Sequence, residues 1–139
     1  MALQFNITTR NARLDAIEST NGTACAMQIR TGAQPANCGM ANSGTLLATI
    51  NLPANWMAAA SSGSKVKSGT WQDASADGTG IAAHFRIFND QTTKDETTCF
   101  MQGSITATGF GGNMEVSDTS FIAGQLFTVT AFTLTDGNA

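Results

Sequence analysis

Apolar and polar positions alternate with a period of two over most of this chain, the spacing of a pleated strand with one buried face. Cys25, Met27 and Ile29 alternate with Ala26, Gln28 and Arg30. In TLLATINL (45–52), Leu46, Ala48, Ile50 and Leu52 share a face, and Pro53 ends the run. Further strands are predicted at KVKSGTWQ (65–72), GIAAHFRIFN (80–89), TTCFMQGSITAT (97–108) and QLFTVTAFTLT (125–135), with a shorter one at NMEVS (113–117). The gaps DASADGT, DQTTKDE, GFGGN and DTSFIAG carry the Gly, Asp, Asn and Thr of turns. TGAQPANCGMANSG (31–44) has no period and reads as a loop. ANWMAAASSG (54–63) reads as a connection with one helical turn, with Trp56 folding back on the core.

One segment has helical spacing. In TTRNARLDAIESTNG (8–22), Leu14 and Ile17 stand three apart and Asn21-Gly22 makes a stop. The expectation is a short N-terminal helix or arm over residues 1–22 and an all-β domain over 23–139, the whole chain forming a single domain. Strands recurring at intervals of about 8–12 residues predict a β-sandwich or small barrel.

Composition agrees with strands and narrows the functional classes. Only 12% of the 139 residues are charged, whereas Thr occurs 20 times and Gly 14 times. Thr favours strands, and Gly favours tight turns. The net charge is −3 and no run of Lys or Arg exists, so direct nucleic-acid binding has no electrostatic footprint. No stretch is apolar and long enough for a bilayer span, and MALQFNITTRNARL lacks a secretory apolar region, so no membrane partner is expected. Cys25, Cys38 and Cys99 form no CxxC pair; an odd count without a leader predicts reduced thiols in a protein made in the cytoplasm. On that expectation the glycosylation patterns at Asn6 and Asn21 carry no meaning.

The strongest hint of chemistry is TWQDASADGTGIAAHFRIF (70–88). Asp73, Ser75, Asp77 and Gly78 open like a calcium loop, and His84 is the only histidine. An EF-hand needs a bidentate Glu at its twelfth position and flanking helices. Counting from Asp73, the twelfth residue is His84, and both flanks read as strands. The expected role is a hairpin-like turn in which Asp side chains bond the backbone and Gly supplies positive φ. Alternation places Ile81, Ala83, Phe85 and Ile87 on the core face and His84 on the outer one. A Cys99–His84 dyad would need neighbouring strands and a third group that the sequence does not supply. Cys99 alternates in phase with Met101 and Ile105 and reads as core. Asp95-Glu96 belongs to a solvated charged loop. Gly109-Phe110-Gly111-Gly112 lacks the Lys and the strand–loop–helix setting of a phosphate loop. Trp56, Trp71 and Phe88 could stack on a sugar only if exposed together. No catalytic, cofactor or metal residue is therefore assigned, and no enzyme activity is expected.

What remains is surface. QLFTVTAFTLT has no Lys or Pro to blunt an edge, so either a neighbouring strand covers it or a partner does. The strings GTLLATINLP, TWQDASADGTGIAAHFRIF, GSITATG and GGNMEVSDTSFIAGQLFTVTAFTLT, spread between Gly44 and Thr135, resemble small virion proteins of tailed bacteriophages. That resemblance implies a jelly-roll-like β-sandwich mounted on the particle. The role it implies is a head decoration or cement protein that binds across major capsid protein subunits on the virion, with a second copy of itself as an additional partner. A tail or baseplate component is the alternative within the same class, and a carbohydrate-binding adhesin module the alternative outside it.

Overall fold

The computed structural model describes residues 1–138. One helix, α1 (Ile7–Asn21), precedes eleven strands: β1 (Ala26–Arg30), β2 (Leu46–Asn51), β3 (Ser64–Val66), β4 (Trp71–Asp73), β5 (Gly80–Ile81), β6 (His84–Phe88), β7 (Cys99–Ala107), β8 (Met114–Val116), β9 (Ser120–Phe121), β10 (Phe127–Val129) and β11 (Thr133–Thr135). The chain is mostly β, as its alternation predicts. Of the two forms expected for the N-terminus, a helix is present, preceded by six residues without regular secondary structure. Asn6 caps it by accepting from the Thr9 amide, and Gly22 ends it at φ 79° with its N–H bonded to Glu18.

The strands form a five-stranded sheet in the order β2-β1-β6-β7-β8 and three two-stranded pairs, β10-β4, β11-β3 and β5-β9. The inner face of the large sheet carries Met27, Ile29, Ala48, Ile50, Phe85 and Ile87. Trp56, Trp71, Phe127 and Phe132 close over it, with Phe132 edge-on to Phe85 at 5.5 Å and Trp71 5.3 Å from Phe132. Gly103, opposite Phe85, is required here: a Cβ would come within 2.8 Å of the Phe85 ring.

Three predicted strands are broken, each where the chain changes partner. Residues 80–89 split at Ala82 and Ala83, whose amides bond Thr119 and Arg30. The first part thus pairs with β9 and the second with β1. Ile81 therefore lies exposed rather than in the core. Residues 65–72 and 125–135 each split as well, and they split together. Ser64–Val66 pairs with Thr133–Thr135, and Trp71–Asp73 pairs with Phe127–Val129. The Lys67 amide reaches Phe132 between them, so the two segments make one bent antiparallel ladder. The unprotected terminal strand is thereby covered along one edge. Residues 54–63 contain no helical turn: Met57 bridges Lys67 and Ser61 bridges Ser64, drawing the segment into strand-like pairing, while Trp56 is buried as expected.

The largest departure concerns the outer face of the sheet. Strict alternation predicts polar, exposed positions there, yet His84 and Arg86 have no exposure and Gln28 has 6%. Loop 31–44 is the reason. It lies across this face and is held by side chains from below: His84 to Gly32, Gln102 to Pro35, Arg86 to Cys38 and Asn42, and Arg30 to Ser43. A loop carries its own polar backbone, so the residues beneath it must be polar to satisfy it.

Beyond β7 the chain folds back and β8 runs parallel to β7. Thr108 and the GFGGN segment make that return in six residues, 108–113. Glu115 accepts the amides of Gly109 and Gly111, and Thr106 accepts that of Gly112. The amides of this glycine run are thus turned to the chain's own side chains.

Candidate functional site

The turn 73–79 uses its carboxylates internally. One Asp73 oxygen accepts from the Ser75 amide and the other from the Thr49 amide, each at 2.9 Å; Asp77 accepts from the Thr49 hydroxyl at 2.8 Å. The Asp77 and Gly78 amides both reach the Leu47 carbonyl. Gly78 approaches β2 so closely that a Cβ would stand 2.4 Å from the Leu46 oxygen. The D-x-S-x-D-G spacing thus fastens this turn to β2. Among the described residues no cluster of three or more His, Cys, Asp or Glu could hold a metal.

His84 is buried, not exposed on an outer surface. Its Nδ1 lies 3.0 Å from the Gly32 carbonyl, which only accepts, so Nδ1 carries the proton and Nε2 of the neutral ring is a bare acceptor. Burial pushes the His84 pKa down, assisted by the positive charges of Arg30 and Arg86 and opposed by the bond to Gly32. The ring is thus held neutral. The Cys99–His84 dyad is separated by register: His84 opposes Ser104, whereas Cys99 opposes Phe88. Four residues of strand, about 13 Å, lie between them.

A β-bulge sets the place of Cys99. Register shifts between Ile87 and Phe88, putting an extra residue into β7. Phe100 packs against Trp56 at 5.9 Å, while Cys99 sits beside Arg86 and the Cys38 thiol of the loop. The thiol is half-buried on the loop side, a correction to its expected core position. Arg86 donates to the Cys38 carbonyl and to Asn42, each at 2.7 Å. Burial and the Cys38 thiol push the Cys99 pKa up to about 11, against the pull of Arg86. Nε2 of His84, Nε of Arg86 and Oε1 of Gln102 have no hydrogen-bond partner among the described residues. The result is a polar layer beneath the loop that gathers two guanidiniums, one neutral imidazole and two half-buried thiols.

A second polar cluster lies under the helix. The Lys65 ammonium, 2% exposed, donates to Asp15 at 2.7 Å, Ala58 at 2.8 Å and Glu18 at 3.1 Å, filling its three donors. Burial draws the Lys65 pKa down, but bonds to Asp15 and Glu18 and their charge outweigh it and the net shift is upward. This lysine is a locked cation and not a nucleophile. Above it runs an open groove of about 610 Å³ along Gly22, Ala54, Met57 and Ala59.

No family model, curated protein or solved structure matches this chain. Function must therefore be argued from its own residues.

The three aromatic residues weighed as a sugar platform are all buried, so they present no stacking face. Asp95 caps its own turn by accepting from Thr97. Neither Lys65 nor Arg86 is recognisable as buried from alternation alone, because a charged residue in a strand normally marks the solvent face. The available signal is scarcity: with only seven Lys and Arg in the chain, each one inside a strand carries more weight than usual. Of the ten exposed large apolar residues among the described ones, Met40, Val66 and Phe110 stand singly in the chain and the other seven fall in two groups. Met1, Leu3, Phe5 and Ile7 alternate along the N-terminal arm and helix start. Ile81, Ile122 and Leu126, each about 60% exposed, are carried by the β5–β9 pair and the turn that leaves it.

Proposed function

We propose that this chain is a structural protein of a tailed-bacteriophage virion that decorates the capsid, binding across major capsid protein subunits and stabilising the shell. In the finer architecture we propose, a jelly-roll-like sandwich, the five-stranded sheet is one layer and the small pairs facing it are the other. One observation carries the functional reading: Ile81, Ile122 and Leu126 stand exposed on one lip of a chain with few surface charges. Isolated exposed apolar residues are ordinary, but three on one short lip suit an interface repeated over a shell, where weak contacts add through multivalency. The resemblance of residues 44–135 to phage virion proteins points the same way.

The test is binding of the purified chain to tailed-phage heads stripped of it, followed by sedimentation and electron microscopy. Density at capsomer boundaries is the expected outcome. The triple variant Ile81→Asp, Ile122→Asp, Leu126→Asp should fold and lose affinity by at least about tenfold, since burying each side chain is worth about 2 kcal/mol. Density confined to the tail would replace the capsid assignment by a tail one. Absence from both would end the virion reading.

A further inference from the structure

We infer that Cys38 and Cys99 are an intramolecular disulfide site that locks loop 31–44 onto the outer face of the large sheet. This inference is independent of the capsid reading. The two residues meet around Arg86, although they lie about 60 positions apart in the chain: its guanidinium donates to the Cys38 carbonyl at 2.7 Å and lies 5.9 Å over the ring of Phe88, the residue that Cys99 opposes. The fold brings them together by two separate devices. The bulge in β7 turns Cys99 toward the loop, and Arg86 clasps the loop backbone at Cys38. Both cysteines are partly exposed, so a small oxidant can reach them. Cys25 provides the contrast: it is fully buried, its thiol donates to Asn21 and Gly22, and burial raises its pKa to about 11.

The co-reactant is a small-molecule disulfide such as oxidised glutathione. The Cys38 sulfur, carried on the covering loop, loses its proton to solvent and attacks first as the thiolate. It displaces one glutathione and forms a mixed disulfide. The Cys99 sulfur then attacks the Cys38 sulfur, and its proton goes to the departing second glutathione. One protein S–S bond forms, one glutathione disulfide is reduced to two thiols, and two electrons pass from protein to oxidant. The bond closes a long loop and adds a covalent link to the hydrogen bonds already holding the cover down.

The experiment is incubation of the full chain with oxidised glutathione, alkylation under denaturing conditions, trypsin digestion and mass spectrometry. The expected product is peptide 31–65 joined to peptide 95–139 with loss of two hydrogens, while peptide 14–30 carries an alkylated Cys25. Oxidation should raise Tm by about 5 °C or more, reversibly with dithiothreitol, and Cys38→Ser should abolish both effects. Alkylated or singly glutathionylated Cys38 and Cys99, a link to Cys25, or a link between two chains would each overturn the site. A crosslink that leaves Tm unchanged or lower would overturn the locking role.

Discussion

At the scale of single residues, the instructive case is His84. Its folded pKa is depressed, so between its folded and ordinary values the unfolded chain binds a proton that the folded chain does not. Stability is therefore fully present above pH 6.5 and falls as pH drops below it. Urea unfolding should show stability falling as pH is lowered from 7 to 5.5. His84→Gln, whose amide can still donate toward Gly32, should flatten that slope; an unchanged slope would place the titration elsewhere. That burial was not legible in the sequence. The alternation of Phe85 and Ile87 identifies one core face correctly, but nothing local says that a loop 50 residues upstream in the chain covers the other. The Asp73–Gly78 turn was legible, because Asx and glycine turn chemistry is decided within a few residues. Cys99 was misplaced by one inserted residue, since a bulge breaks the parity on which alternation depends.

At the scale of elements, α1 illustrates how a weakly amphipathic helix is held. Leu14 is its one fully buried apolar residue, with Ile17 partly packed on the core. Much of its attachment is polar. Asp15 accepts from Ala60, Glu18 from Met57 and Asn11 from Gly63, while both acids share the Lys65 ammonium. The hydrogen bond and charge of Lys65, with the Ala60 amide, pull Asp15 below the ordinary carboxylate value, so the pair's contribution is lost as pH falls below 3.8. Removing both acids in Asp15→Asn, Glu18→Gln strands a buried cation and should cost about 3 kcal/mol by thermal unfolding. Lys65→Met leaves two acids that still reach solvent and supplies apolar volume, so it should cost less. The reverse order would refute the account. The helix itself was foreseeable from its cap and stop, as were most strands. Their breakpoints were not, because 67–70, 82–83 and 130–132 are places where tertiary pairing and not local preference changes.

At the scale of the whole molecule, secure anchoring begins at Phe5. The Phe5 backbone exchanges hydrogen bonds with the Asn138 side chain, its ring lies 5.0 Å from the Arg13 guanidinium, and Asn6 caps the helix. Met1 and Leu3 project outward from the stretch before it. Removing residues 1–4 should therefore leave Tm within about 2 °C of the full chain, as expected for exposed sites. If the arm contacts a neighbour on the shell, the same deletion should weaken head binding; undiminished binding would confine the interface to the β5–β9 lip.

The contacts that tie Phe5 to Asn138, and Arg10 and Arg13 to Asp136, also make the molecule nearly a ring. A few-residue linker could join those positions without displacing an element, which would make the chain a natural subject for circular permutation.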